Sequence, residues 1–375
     1  MSAAQWRGAM NAGAGRLARA GGAPARAAGV AVEGRGQARA WISGMVRPHH
    51  LVVLAFLFVY PFYASPFLTY QIGAQALALG LIALSLTLLG GYGGMVSLAQ
   101  MTVAGIAGYM LAILGTSGEA GISLGWPWWL AALLGIGIAT LAATLIGWLS
   151  ARTEGIYTIM ITIAIGVAFY YLCLQNYSVF NGFQGFQRVY APTVLGIDFR
   201  DPVPFYFVAL ACALAGYFFV VYLLRTPFGI ALQGVRDNAR RMGALGFNVT
   251  AHRVAAYAVA GVIAAVGGIL LTWYNGLIAP NSVGISALVN ILIIAILGGM
   301  GHPVGPFLGA IVFVLLQTFA IDLIDRERFN LLIGLVFLGI VLFSPDGLLG
   351  LWARLREKLA TLRPRAAFNR RRSQR

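Results

Sequence analysis

The side chains that could carry out chemistry are few and widely separated in this sequence. The four histidines and the two cysteines do not gather into any motif: His49, His50, His252, His302, Cys173 and Cys212. Zinc proteases carry an H-E-x-x-H pair, and many serine hydrolases carry a G-x-S-x-G turn; this sequence has neither. We therefore expect a protein that is not an enzyme and that binds no metal or cofactor itself.

The most distinctive polar stretch lies between two long apolar runs. Residues 225–249 read RTPFGIALQGVRDNARRMGALGFNV, and Arg253 follows shortly after; we name residues 225–253 the basic segment. Thr226 and Pro227 suit the start of a helix. Helical spacing then places four apolar residues on one face: Leu232, Val235, Ala239 and Met242.

The spacing also predicts how this helix is stabilised and where it ends. Asp237 and Arg241 stand four residues apart with the acid first, the favourable order for a helical ion pair. Gly243 and Gly246 predict the helix end. The resulting amphipathic helix can be interpreted in three ways. It lies on the lipid surface, it only connects two spans, or it docks in the groove of a partner.

The elements that must position this segment are membrane helices. Apolar residues make up 59% of the 375-residue chain and charged residues 10%, with a mean hydropathy of +0.82. These values are typical of a polytopic membrane protein. We predict an all-α transmembrane bundle in a single membrane domain, residues 49–350. Its ten spans lie at about 51–69, 72–90, 96–115, 126–150, 155–175, 204–224, 254–275, 286–299, 306–321 and 330–344.

Positive charge predicts the orientation of these spans. Of 26 lysines and arginines, seven precede the first apolar run, five lie in the basic segment and nine lie in residues 354–375. Ten spans place these three regions on one side, which the positive-inside rule assigns to the cytoplasm. We therefore predict that residues 1–48 are a disordered basic cytoplasmic leader, with a transit peptide as the alternative, and that residues 351–375 are a basic cytoplasmic tail. We expect these basic regions to contact anionic lipid rather than nucleic acid.

Two glycine-rich stretches interrupt the helical pattern. Residues 90–109 read GGYGGMVSLAQMTVAGIAGY, and residues 298–310 read GGMGHPVGPFLGA. Each is either a tight helical hairpin or a broken, re-entrant helix whose free backbone groups face a cavity or protein. Small residues at four-residue spacing predict close helix packing elsewhere: Ala256, Ala260, Ala264, Gly268, Gly305 and Gly309.

The spans contain no acidic or basic residue near the middle. Proton-coupled carriers usually need such a group, so the energy for any transport must come from elsewhere. The chain also lacks the G-x-x-x-x-G-K-[ST] loop that binds ATP. Five polar residues inside or beside spans are candidates for a substrate pathway or, alternatively, for hydrogen bonds between helices: Ser97, Gln100, Thr158, Thr162 and Asn290.

Four stretches, in order along the chain, resemble a known family. Residues 89–114 carry a GYGGMVSLAQ block, residues 155–170 read GIYTIMITIAIGVAFY, residues 223–270 hold the basic segment and the following apolar run, and residues 297–309 carry LGGMGHPVGP. This order and these motifs resemble the LivM-type permeases (LivH/LivM family) of bacterial branched-chain amino acid ABC transporters. The resemblance covers roughly residues 70–350.

The resemblance implies a multi-pass subunit of the bacterial inner (plasma) membrane that imports branched-chain or other hydrophobic amino acids. Its implied partners are a LivH-like second permease, two LivG/LivF-like subunits that bind ATP and Mg²⁺, and a periplasmic or lipid-anchored substrate-binding protein. The implied contact with the ATPase lies in the basic segment, at or near Arg236, Asp237, Asn238, Arg240, Arg241, Ala244, Leu245 and Gly246. Two alternatives stay open. One is an ABC permease for urea, short amides or another small solute, and the other is a secondary carrier or channel without an ATPase.

The sequence departs from the family pattern in two places. Ala239 and Gly243 stand where family members often carry acids, so the implied ATPase contact is more basic here. Residues 181–185 read NGFQG instead of TGG-x-x-G. The resemblance therefore does not fix the external loop or the substrate.

Overall fold

The computed structural model describes residues 48–118, 122–194, 196–323, 334–335, 337–339, 342 and 347–350. Every long element in these residues is a helix. The chain divides into two compact units, residues 1–63 and 64–375. The described part of the first unit is helix α1 (Pro48–Tyr63), an apolar helix with Pro61 inside its last turn and with Phe58, Phe62 and Tyr63 exposed.

The second unit contains the remaining described helices. They are α2 (Leu68–Tyr92), α3 (Gln100–Leu114), α4 (Trp128–Ser150), α5 (Ile156–Gln175), α6 (Tyr177–Phe180), α7 (Pro202–Arg225), α8 (Pro227–Asp237), α9 (Ala239–Ala244), α10 (Val249–Asn275), α11 (Ile285–Gly298) and α12 (Gly305–Leu323). Two short antiparallel ladders join the loops, β1 (Phe186–Gln187) with β4 (Leu277–Ile278) and β2 (Thr193–Val194) with β3 (Ile197–Asp198).

Helix α2 is the centre of this unit. It is apolar on all sides, as is typical of a helix surrounded by other helices, and it packs against α7, α10, α11 and α12. Its ends, Leu68–Ala74 and Leu88–Tyr92, are wound as π-helix, and Gln75–Thr87 between them is α-helix. These wider turns lie at the ends of a buried helix, and π-helical turns are frequently found at functional sites.

Small residues allow α10 to pack closely against α2, α3 and α4. Ala256, Ala260 and Ala264 are completely buried, and a side chain at Gly268 would overlap the backbone of Ala104. Gly309 likewise lies directly against the backbone of α11. The close packing predicted from the four-residue spacing is confirmed.

Nine of the ten predicted spans overlap described helices. Among the described residues, five helices are long and apolar enough to cross a membrane: Leu68–Tyr92, Trp128–Ser150, Ile156–Gln175, Pro202–Arg225 and Val249–Asn275. The first predicted span, 51–69, was too long, because α1 ends at Tyr63 and a new helix begins near Pro66, where proline is well tolerated. The third began too early, because residues 93–99 are not helical.

Three predictions fall outside the described residues. They concern the leader, the tail and most of the span at 330–344. The described helices fit the predicted all-α transmembrane bundle, whereas the number of spans and the cytoplasmic position of both termini stay predictions.

Candidate functional site

The basic segment begins with helix α8, which packs on the rest of the chain through its apolar face. Thr226 caps the helix, since its Oγ1 accepts a hydrogen bond from the Gly229 amide (3.3 Å) and Pro227 occupies the first turn. Leu232 and Val235 are buried against α7, α10 and the π-helical end of α2. The apolar face is therefore used within the chain, and the opposite face is left for other contacts.

The prediction of one continuous helix is wrong. Asn238 has extended backbone angles (φ −159°, ψ 94°), and its side chain accepts a hydrogen bond from the Arg241 amide (2.9 Å), so it ends α8 and caps α9. The predicted pair between Asp237 and Arg241 consequently does not form, and Asp237 pairs with Arg236 instead (2.9 Å).

The apolar stripe and the predicted end of the helix also need correction. Ala239 and Met242 are only half-buried, because the break turns α9 back so that the Met242 sulfur lies over Gly234. Gly243 lies inside α9 and does not end it. Gly246 does act as predicted, since its positive φ (+90°) allows the chain to leave the helix.

The residues implied to contact an ATPase are all exposed. This exposed surface consists of Arg236, Asp237, Asn238, Arg240, Arg241, Ala244, Leu245 and Gly246. Leu245 is 67% exposed and its neighbour Phe247 is 42% exposed, so large apolar groups accompany the arginines. Within the described part of the chain, the side chains of Arg240 and Arg241 form no ion pair. Their role in binding a partner stays a prediction.

Arg236 differs from the other two arginines because it turns toward its own chain. Its Nη1 donates a hydrogen bond to the carbonyl of Gly91 (2.7 Å), while its Nε donates to the Asp237 carboxylate (3.0 Å). Its aliphatic part crosses Gly94, where a Cβ atom would lie 2.6 Å from Arg236 Cγ. The basic segment is therefore bonded to the first glycine-rich stretch.

That first glycine-rich stretch contains a buried break between helices. Residues 93–99 are not helical, yet Ser97, Leu98 and Ala99 are at most 5% exposed. The Met95 amide donates to the Leu89 carbonyl (2.9 Å), and the Leu98 amide donates to Thr162 Oγ1 (3.1 Å). Protein groups therefore satisfy both of these amides, as is needed where non-helical backbone is shielded from water.

The two glycine-rich stretches touch each other, which sequence reasoning did not foresee. The Tyr92 hydroxyl donates a hydrogen bond to the Gly301 carbonyl (3.1 Å), and Gly91 lies directly against the carbonyl of Met300. The abundance of glycine was a signal for close approach, but it did not indicate which stretch would be the partner.

Four of the five candidate pathway residues lie around the buried break. Thr162 donates to backbone carbonyls of its own helix α5, Thr158 contacts Thr153 (3.1 Å), and Gln100 accepts from Ser85 (3.0 Å). These bonds agree with the alternative of a structural role. Among the described residues, the Ser97 hydroxyl and the Gln100 amide nitrogen have no hydrogen-bond partner.

Asn290 is not part of this group. It lies half-buried on α11, and no hydrogen bond between described residues joins it to the other four candidates. The role of all five in transport stays a prediction.

Arg253 and Tyr257 are structurally important residues that sequence reasoning missed. The Arg253 side chain is only 12% exposed, and it donates to the Ala151 carbonyl at the end of α4 (3.1 Å) and to Glu154 (3.1 Å). One turn further along α10, the Tyr257 hydroxyl is buried beside the hydroxyls of Ser97 and Ser150. In the sequence, Arg253 was counted only as a positive charge.

The fold and these segments define a polytopic helical membrane protein with buried helix breaks and an exposed basic contact surface. Comparison with known proteins identifies the family. The chain belongs to the family described as branched-chain amino acid transport system / permease component, whose model matches residues 68–341. The predicted resemblance to LivM-type permeases is thereby confirmed, and the chain is an ABC transporter permease. Its homologues are transport components rather than enzymes.

The relatives include proteins with different cargo in their names. The chain is 26% identical over 299 residues to the LivM permease of a high-affinity branched-chain amino acid transport system from Salmonella typhimurium, covering 73% of this chain and 67% of the relative. It is 26% identical over 235 residues to Escherichia coli LivM, covering 56% and 55%. It is 28% identical over 252 residues to an autoinducer 2 import permease, LsrC, of Photorhabdus laumondii, covering 65% and 72%. No solved structure matches the chain.

Proposed function

We propose that this chain is one of two permease subunits of an ABC importer in the bacterial inner membrane, and that its cargo is a branched-chain or other hydrophobic amino acid. The family match over residues 68–341 and the LivM relatives support this proposal. The ten-span arrangement, with both termini and the basic segment in the cytoplasm, follows from the positive-inside rule.

The observation that carries the proposal is the arrangement of α8 and α9. Leu232 and Val235 fix α8 against the membrane helices, while Arg240, Arg241 and Leu245 remain exposed. An external energy source needs such a contact, because closure of an ATPase can shift the permease only by binding its two states differently. A lipid-surface helix is disfavoured because the apolar face of α8 is already packed within the chain.

The chemistry of the exposed surface supports a partner with a complementary groove. Basic side chains beside Leu245 and Phe247 fit a groove with an apolar floor and an acidic rim. On this proposal, two LivG/LivF-like subunits supply that groove and hydrolyse ATP with Mg²⁺. A LivH-like permease and a substrate-binding protein complete the importer.

A polar solute is the second candidate cargo, because LsrC is among the relatives. Reconstitution in proteoliposomes with the co-encoded subunits separates the candidates. Leucine, isoleucine, valine, autoinducer 2 and urea are each added with the binding protein, and ATP hydrolysis and uptake are measured. We expect stimulation by the amino acids; stimulation by autoinducer 2 or urea alone would refute the amino-acid cargo. Uptake without any ATPase would refute the ABC mechanism and indicate a carrier or channel.

A further inference from the structure

Arg236 occupies a different position from the other arginines of the exposed surface. We propose that it is a positioning residue inside the permease, which links α8 to the buried break after α2 and so transmits movement of the basic segment to residues 93–99. This inference rests on the proposed function, since it concerns how the energy of the ATPase reaches the membrane helices.

The guanidinium group of Arg236 is held by two partners. Its Nη1 donates to the Gly91 carbonyl at 2.7 Å, and its Nε and Nη2 lie 3.0 and 2.9 Å from Asp237 Oδ1. A guanidinium group is planar and holds its donors in a fixed fork. Asp237 therefore orients the group, and the orientation directs Nη1 to the carbonyl of Gly91.

The surface that contacts Arg236 has room for its side chain because residue 94 is a glycine. Gly94 has a positive φ (+69°), and a side chain there would collide with Cγ of Arg236, which lies 2.6 Å from an added Cβ. Glycine therefore serves two purposes at this position, the left-handed backbone and the close approach of the arginine. Because Arg236 contacts Gly91 and Gly94, it spans the end of α2 and the start of the break.

Residues next to Gly91 and within the break are in turn bonded to other parts of the chain. The neighbouring Tyr92 hydroxyl bonds to Gly301 in the second glycine-rich stretch, and the Leu98 amide at the other end of the break bonds to Thr162 on α5. Breaks of this kind, held by a few hydrogen bonds between rigid helices, have the character of hinge segments. Displacement of α8 would therefore act on both glycine-rich stretches and on α5.

The three arginines of the exposed surface therefore have different roles. Arg240 and Arg241 are exposed on α9, without an ion pair to any described residue, and they suit contact with a partner. The resemblance implied Arg236 for the ATPase contact as well, but its guanidinium group is bonded to its own chain, so its loss should leave partner binding intact.

The experiment uses the complete importer with the co-encoded ATPase subunits and binding protein, carrying Arg236→Ala or Arg236→Lys. We expect Arg236→Ala to retain co-purification of the ATPase and to lower uptake per ATP hydrolysed about tenfold, the effect of losing one charge-assisted hydrogen bond. Lysine keeps a charged donor for the Gly91 carbonyl, so Arg236→Lys should recover part of the uptake. Loss of ATPase co-purification in Arg236→Ala, or wild-type uptake per ATP, would overturn the inference.

A second pair of variants keeps the arginine and changes its receiving surface. Gly94→Ala should displace Arg236 and lower uptake per ATP as Arg236→Ala does. Gly125→Ala is the matched control, because Gly125 has a nearly identical φ (+67°) but nothing within 4 Å of an added Cβ. Wild-type coupling in Gly94→Ala, or equal losses in both glycine variants, would contradict the inference.

A third measurement does not depend on any partner. In the permease alone, in lipid nanodiscs, Arg236→Ala should accelerate hydrogen exchange of the Met95 and Leu98 amides about tenfold, whereas Gly125→Ala should not. Unchanged exchange would overturn the inference even if the importer works as proposed. Accelerated exchange together with no ATP-driven uptake by the wild-type complex would instead refute the proposed function and leave the structural link standing.

Discussion

The bond between Arg253 and the end of α4 gives a stability prediction whose size follows from the structure. Arg253→Ala removes two hydrogen bonds that differ greatly in burial. The Arg253 side chain is 12% exposed, and its bond to the Ala151 carbonyl lies at the C-terminus of a helix, where a positive charge is favourable. The partner of its other bond, Glu154, is 73% exposed.

The two contributions can be separated by magnitude. A hydrogen bond from a charged donor contributes about 1.5–3 kcal/mol to the free energy of unfolding when it is buried. An ion pair with an exposed partner contributes about 0–1 kcal/mol. We therefore expect Arg253→Ala to destabilise the protein by about 2–3 kcal/mol, and Glu154→Gln, which retains the shape of the side chain, to cost less than about 1 kcal/mol.

Thermal unfolding in detergent, followed by circular dichroism of the helices, measures the difference. At the roughly 2–4 °C per kcal/mol that holds for domains of about 150–250 residues, Arg253→Ala should lower Tm by about 4–12 °C and Glu154→Gln by less than about 4 °C. Equal shifts in the two variants would show that the ion pair, and not the Ala151 carbonyl, accounts for the stabilisation. A shift below about 1 °C in Arg253→Ala would refute the reasoning altogether.

Three further predictions concern partner binding, capping and packing. Arg240→Glu with Arg241→Glu should abolish ATPase co-purification while leaving the chain inserted; wild-type uptake would refute the docking role. Asn238→Ala should destabilise the start of α9 by about 1 kcal/mol and lower uptake, whereas Asn238→Asp keeps the cap, so equal uptake in both would contradict the capping role. Gly268→Leu should prevent folding, because its side chain would overlap the Ala104 backbone. Gly137→Leu is the control and should express normally, since nothing lies within 4 Å of a Cβ added there. Monodisperse Gly268→Leu protein in size-exclusion chromatography would contradict this prediction.

Local patterns in the sequence predicted the parts of the fold that depend on neighbouring residues. Helical spacing identified Leu232 and Val235 as the buried face of α8, and the four-residue spacing of small residues identified the packing face of α10. The break at Asn238 was also readable in principle, since asparagine is a favoured helix cap. The regular spacing of apolar residues across it concealed the break.

Contacts between distant residues could not be predicted in this way. Arg236 and Gly91 are separated by 145 positions, and Arg253 and Ala151 by 102. A backbone carbonyl is present at every position, so nothing in the residue types around Gly91 or Ala151 marks that carbonyl as an acceptor. The choice depends on how the helices pack, which local periodicity does not encode.

The positive charges of the basic segment therefore serve more purposes than membrane orientation. The positive-inside rule treats all five as equivalent, because only their side of the membrane matters for insertion. The structure separates four of them by their contacts, since Arg236 bonds to the end of α2, Arg253 bonds to the end of α4, and Arg240 and Arg241 stay exposed. Charge reversal at Arg240 and Arg241 should then affect assembly with the ATPase, whereas substitution of Arg236 or Arg253 should affect the permease itself. Equal effects at all four positions would contradict this division, because the loss of positive charge alone would then explain them.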